Sequence, residues 1–331
     1  MKVLVACLVD DHREPGKGLF SHEYLNLYQP MQQVASDVVL FDFHRLLQAY
    51  GREGMNRALI ETIRRERPDV SLFALFKDEF TPEAIEEARQ STRTVAYFFD
   101  DDWRREYFAS WAPHFDFLTT PRQWTYRQYQ AAGMRNVLYS PFAFNVELYC
   151  RAEVPKRYDV SFVGGNHPWR VFVIDRLKRG GINVAVFGPY WRSGMLGQQA
   201  MVDVFCASKI NLNLSNSVQW DARYLLSSWR AIRTTLKSAK DREQIKARHF
   251  EIPGSGGFQL SYYCEDLERH FRIGEEVAIY TGLEDLVDKV RFYLQHDAMR
   301  ERIAQAGYER ARRDHTMQRR LADLLAAIGT R

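Results

Sequence analysis

Nothing in this sequence offers a zinc knuckle or a dense disulfide framework, because its four cysteines, Cys7, Cys150, Cys206 and Cys264, lie far apart with no CxxC pair. They read as reduced, mostly buried thiols. No apolar run approaches the length of a membrane span, and Met1–Leu8 is too short for a signal-peptide core before it meets Asp10, Asp11, His12 and Arg13. A cytoplasmic location is the expectation. Charge of one sign is scarce as well: 46 Lys and Arg against 42 Asp and Glu leave a formal +4, too mild for a duplex nucleic-acid binder with its clustered basic stripe. A local anionic ligand fits that balance. The GxGxxG fingerprint of a nicotinamide enzyme is missing, as is a P-loop. Asp10-Asp11 after the first strand superficially resembles a phosphoacceptor pocket, but the chain is much longer than a receiver domain.

What is present is length and apolar surface. A chain of 331 residues, 46% of them hydrophobic, is long for one core, so two domains are expected. Strand-like apolar runs at Val3–Leu8, Val38–Phe43, Asp69–Phe76, Thr94–Phe99, Phe117–Thr120 and Val137–Phe142 alternate with segments of helical spacing. That alternation predicts an α/β fold with parallel sheets covered on both faces. A second series follows, with strands at Tyr158–Val163, Ile182–Phe187, Ser208–Leu214 and Phe258–Leu260. The expected boundaries are 1–150 for a first domain, 151–315 for a second and 316–331 for a terminal helix.

Candidate site residues collect where strands end, the edge at which open α/β sheets bind ligands. In the first half these are His12, in the polar turn after strand one, and Asp100 and Asp101, which end strand four; each is a candidate base. Asp100-Asp101-Asp102 also invites a metal reading, but three adjacent carboxylates cannot all face one ion, and Asp is a favoured N-cap. Capping is preferred and no metal site is expected. In the second half, Gly164 and Gly165 open a helix whose N-terminus can hold an anion, with Arg170 beside it. Ser215 and Asn216 present a hydroxyl and an amide to the same edge. The densest stretch is Gln244–Ser261, where Lys246, Arg248 and Glu251 precede Gly254, Gly256, Gly257 and Phe258. Arg248 and Glu251 share a helical face, so a phosphate and a sugar hydroxyl could be met together; a surface salt bridge on a glycine-capped helix is the plain alternative. The Arg-rich run Arg300–Arg320 could suggest surface attachment, but the interspersed Glu301, Glu309 and Asp314 favour a salt-bridged solvent face.

The run Lys246–Leu260, together with Phe271–Tyr280, Leu286–Leu294, Arg302–Gly307 and His315-Thr316, resembles the carboxyl-terminal domain of the spore-maturation, CgeB-like glycosyltransferases. Phe162–Gly165, Arg170, Phe187-Gly188, Trp191 and Ser208–Asn213 are similar to that family's upstream pattern. The resemblance implies a GT-B architecture, two Rossmann-like domains facing a cleft, with the acceptor held by 1–150, the sugar nucleotide by 151–315, and the final helix 316–331 crossing back to the first domain. It implies a nucleoside-diphosphate sugar as donor, a UDP-sugar foremost, no required cofactor, and a glycan, lipid-linked or small-molecule hydroxyl acceptor. Glu251 would bind the ribose hydroxyls, Arg248 and Lys246 would lie beside the diphosphate, and Lys209 ranks behind them. Glu243 stands where some retaining relatives have a further glutamate. The resemblance implies neither a nucleic-acid partner nor a membrane span, though peripheral membrane contact stays open. A non-catalytic sugar-nucleotide or glycan-binding protein is the alternative.

Overall fold

The structure is a computed structural model that describes residues 1–11, 18–240 and 243–329. It divides into two compact units, Met1–Asn145 with Met317–Arg331, and Val146–Thr316.

The first unit holds six parallel strands, β1 (Lys2–Cys7), β2 (Asp37–Asp42), β3 (Val70–Phe73), β4 (Arg93–Ala96), β5 (Phe117–Thr120) and β6 (Val137–Tyr139), in the order β2-β1-β3-β4-β5-β6. Its central strands are apolar at nearly every position because helices cover both faces. One face is closed by Met55, Leu59, Ile63, Phe80, Ile85, Phe108 and Trp111. The other is closed by Leu27 and Met31 together with Met317, Leu321, Leu324 and Ile328 of the helix Met317–Gly329. That helix is tied in by the Met317 amide, which donates to the Phe144 carbonyl at 2.8 Å. The segment 56–67, expected as a helix, is the second half of a longer one, Phe43–Glu66, kinked at Gly51, where φ is +68°. Glycine tolerates that left-handed backbone without a Cβ clash.

The second unit holds five parallel strands, β7 (Tyr158–Val163), β8 (Val184–Phe187), β9 (Ser208–Asn213), β10 (Gln259–Tyr262) and β11 (Ala278–Tyr280), in the order β11-β10-β9-β7-β8. The chain steps from β7 to β8 on one side and then returns to place β9 on the other. The order therefore reverses between β7 and β9, and a crevice opens beyond their carboxyl ends. The turns after these two strands carry Gly164 to Arg170 and Leu214 to Asn216. Behind them, Val160, Phe162, Ile210, Leu212, Phe258, Leu260, Val290 and Ile303 fill a single buried cluster, so the rim rests on a rigid base.

Candidate active site

Arg170 joins the two turns. It stands in the first turn of the helix Pro168–Arg179, and its guanidinium donates to three carbonyls: Nη1 to Gly165 at 3.1 Å, Nη2 to Ser215 at 3.2 Å and Nε to Asn216 at 3.0 Å. A planar fork of fixed donors suits that task better than an ammonium would. Glu243 closes the group from the segment before the helix Arg248–Gly254. Its Oε2 accepts from the Ser215 hydroxyl and from the Asn216 amide, the latter at 2.9 Å.

The turns fit because of two contacts at Gly164. The Trp191 indole donates to the Gly164 carbonyl at 2.8 Å. Gly188, which follows β8 with φ at +127°, passes so close that a Cβ there would sit 2.6 Å from the same oxygen. Only glycine fits position 188.

Electrostatics ties the cluster together. Burial lowers the pKa of Arg170 to about 10, opposed by Glu243 and helped by Arg248. Burial raises that of Glu243, against its bonds to Ser215 and Asn216 and the charge of Arg170. His167 is held down at about 4 by burial and then by Arg170 and Lys240, so its imidazole is neutral at neutral pH. Gly164, Gly165, Arg170, Ser215, Asn216 and Arg248 are thus brought into one electrostatic neighbourhood, together with Glu243, His167 and Lys240.

Lys246 belongs to the segment that links Glu243 to the helix Arg248–Gly254. Its amide donates to Nδ1 of buried His249 at 3.0 Å, while Nε2 of that ring faces the Ser261 hydroxyl at 3.1 Å. The Lys246 carbonyl lies 3.2 Å from the same Nδ1, and burial lowers the pKa of this histidine to about 4.

Glu251 is 3% exposed, with Oε1 accepting from the Tyr149 hydroxyl at 2.6 Å and Oε2 from Arg248 at 2.5 Å. The plain alternative of a solvated surface salt bridge therefore fails for this pair. The burial of Tyr149 and the charge of Glu251 push the phenol pKa well up.

Four expected donor residues lie elsewhere. Lys209 is the second residue of β9, at the amino end of the strand, and pairs with Asp159 of β7 at 2.7 Å. Gly256, Gly257 and Phe258 precede β10 and likewise sit at the amino edge, because the helix Arg248–Gly254 runs antiparallel to the strand it feeds. The glycines serve packing: a Cβ on Gly256 would lie 2.9 Å from Arg151, and one on Gly257 2.8 Å from Asn211. Phe258 is a core residue whose ring centroid is 4.7 Å from that of Tyr293.

The first-unit candidates also separate. His12 lies outside the described residues. The three carboxylates diverge rather than cap the next helix, Arg105–Trp111, which has no side-chain cap. Asp102 pairs with Arg122 and Arg105, and Asp100 is half-buried beyond β4. Asp101 is fully buried and accepts from the Thr120 hydroxyl at 2.7 Å. A base must reach the proton it removes, so Asp101 does not serve as one. Among the described residues, no group of three or more His, Cys, Asp or Glu is arranged to hold a metal ion.

Burial raises the Asp101 pKa to about 6, with the Thr120 bond opposing. The folded protein then keeps a proton that the unfolded chain has released, so stability falls as pH rises from about 4 to about 6. A shift of roughly two pKa units amounts to about 3 kcal/mol. Asp101→Asn is expected to gain on the wild type by up to that amount across this window. Urea unfolding of both proteins at several pH values checks this; a difference that stays constant with pH contradicts it.

Known proteins share parts of this arrangement. Residues 170–326 match the family described as Glycosyl transferase-like. That match takes in most of the second unit and the helix Met317–Gly329. No curated protein matches it. Among solved structures, Anabaena HepE in complex with UDP and glucose has a TM-score of 0.66 at 11% identity, covering 98% of this chain and 99% of that one. Sucrose-phosphate synthase from Thermosynechococcus elongatus has a TM-score of 0.65 at 8% identity, covering 99% of both chains. A glycosyltransferase from Rickettsia africae has a TM-score of 0.63 at 8% identity, covering 98% of this chain and 97% of that one. The fold is GT-B.

Proposed function

We propose that the protein is a glycosyltransferase of the CgeB-like type that moves a sugar from a nucleoside diphosphate, UDP foremost, to a hydroxyl on a glycan, a lipid-linked sugar or a small molecule. Its place is the cytoplasm, in the synthesis of glycans, cell-surface polysaccharides or glycoconjugates. The observation that carries this reading is Arg170 spanning the switch point of the second sheet, beside the N-terminus of the helix Pro168–Arg179. Such a terminus with a guanidinium next to it suits a diphosphate. UDP in the HepE structure agrees with that choice of nucleotide.

In the proposed reaction the bond from the anomeric carbon to the donor's β-phosphate oxygen breaks, and a bond from that carbon to the acceptor oxygen forms. The acceptor proton passes to a base, for which Asp100 is put forward. Arg170, Arg248 and Lys246 balance the charge on the departing diphosphate, the work a divalent ion would otherwise do, so no metal is required. Glu251 engages two of its roughly four lone-pair sites with Tyr149 and Arg248. The ribose hydroxyls take the others.

UDP at millimolar concentration is expected to raise the melting temperature, with or without EDTA, since a ligand that binds only the folded state stabilises it. No shift with any nucleoside diphosphate removes the donor site, and a shift that chelation abolishes and magnesium or manganese restores removes the metal-free mechanism. Stabilisation without nucleotide release from any donor would instead mark a sugar-nucleotide-binding protein.

A further inference from the structure

Between β9 and Glu243 the second unit carries two short helices, Ala222–Leu225 and Trp229–Leu236. On this segment four large apolar residues face solvent: Trp220 is 61% exposed, Leu226 85%, Trp229 77% and Leu236 67%. The pattern on the second helix is ordered. At about 100° per residue, Ala231 and Thr235 point inward, and both are buried. Trp229, Ile232 and Leu236, at i, i+3 and i+7, form an outward apolar strip. Arg230, Arg233 and Lys237, at the same spacing, form a basic strip beside it. From 219 to 240 the cations are Arg223, Arg230, Arg233, Lys237 and Lys240, against Asp221 alone.

The basic side continues into a groove. About 630 Å³ of space lies between this segment and the helix Pro168–Arg179, where Arg176, Arg179, Arg223 and Arg230 outnumber one carboxylate, Asp175, and Asn166 and Pro168 border one end. Arg223 is already paired with Asp221 and Glu284. Among the described residues, neither Arg179 nor Arg230 has a carboxylate within ion-pair distance.

We propose that the segment 220–237 docks the enzyme on an anionic lipid surface, with Trp220, Leu226, Trp229 and Leu236 entering the headgroup and acyl boundary. Arg230, Arg233 and Lys237 meet the lipid phosphates, and the neighbouring groove receives a headgroup. The charge decides for lipid over a second copy of the chain, whose identical basic strip would repel this one. Indole rings and an adjoining Lys/Arg strip are the chemistry of an interfacial helix. No helix among the described residues is long and apolar enough to cross a membrane, so the contact is peripheral. By contrast, in the run Arg300–Arg320 the cations Arg300, Arg310 and Arg313 are paired with Asp297 or Asp314. The groove meets the turn before Arg170 at Asn166 and Pro168, but the side chains that enter the lipid, Trp220, Leu226, Trp229 and Leu236, include no residue of the donor reading, so vesicle binding tests the inference separately from UDP binding.

The test is co-sedimentation of the full chain with vesicles of phosphatidylcholine, alone or with one-third phosphatidylglycerol, at low and high salt. The wild type is expected to pellet with the anionic vesicles at low salt only. Trp229→Ser with Leu236→Ser should lower that partitioning at least tenfold. Replacing Arg230, Arg233 and Lys237 by Gln should lower it by about fivefold for each charge removed. All five positions are at the surface, and an unchanged melting temperature verifies folding. A wild type that stays in the supernatant, or either variant retaining wild-type partitioning, overturns the proposal. So does light scattering that shows a dimer dissolved by the apolar variant without vesicle binding.

Discussion

Arg170→Ala is expected to abolish the thermal shift with UDP and to destabilise the second unit by about 3–5 kcal/mol. The substitution removes three charge-assisted bonds at once and leaves the carbonyls of Gly165, Ser215 and Asn216 to find water. It also leaves Glu243, only 8% exposed, without the cation that favours its charged form. Arg170→Lys keeps the charge but cannot fork between two turns. It is expected to recover part of the stability and little of the UDP response. Urea unfolding and the UDP-dependent melting temperature, measured on wild type and both variants, check this. A folded Arg170→Ala protein with an undiminished UDP shift would place the diphosphate elsewhere.

How much of this was legible in the sequence depends on what fixes each feature. The strands were legible because both faces of each sheet are covered, and so Val3–Leu8 is apolar throughout, while Tyr158–Val163 keeps Val160, Phe162 and Val163 buried around Asp159 and Ser161. The glycine turn at Gly164 and Gly165 was legible as a strand end. Which edge a residue reaches was harder. Lys209 precedes an alternating run and Ser215 follows it, yet only the direction of β9 puts them at opposite ends. Gly256, Gly257 and Phe258 looked like part of a ligand turn because they follow Arg248 and Glu251 closely. One helix separates them, and its length carries the chain from one edge of the sheet to the other. Tyr149 carried no signal at all: it meets Glu251 from 102 residues away, and no local spacing encodes such a partner. His249 stands inside the densest stretch, but its bond to the Lys246 amide follows from the turn into the helix, which composition does not reveal. The Asp100–Asp102 cluster misled for a simple reason, since adjacent side chains beyond a strand point in different directions and find different partners.

Glu251→Ala separates two roles that the structure superimposes. The carboxylate holds the Tyr149 hydroxyl and Arg248 inside the second unit, so its removal strands a buried phenol and a cation. Breaking a buried pair in this way costs about 3–5 kcal/mol, and a fall in melting temperature on the order of 10 °C is expected for a unit of this size. If the ribose hydroxyls also bond to this carboxylate, the variant loses a hydrogen bond to a charged group, about 1.5–3 kcal/mol, or tenfold and more in UDP affinity. Inorganic pyrophosphate distinguishes the causes because it has no ribose. Titration calorimetry at a temperature where the variant is folded should show the UDP affinity reduced at least tenfold and the pyrophosphate affinity within about twofold of wild type. Equal losses for both ligands would mean that Glu251 acts only by holding Arg248 against the diphosphate. Tyr149→Phe then supplies the control: it removes one bond from Oε1, costs about 1 kcal/mol, and leaves Arg248 paired. On the proposed mechanism that variant binds UDP at least as well as the wild type, because the freed lone pair is available to the ribose, and a tenfold loss there would show instead that the phenol itself shapes the donor site.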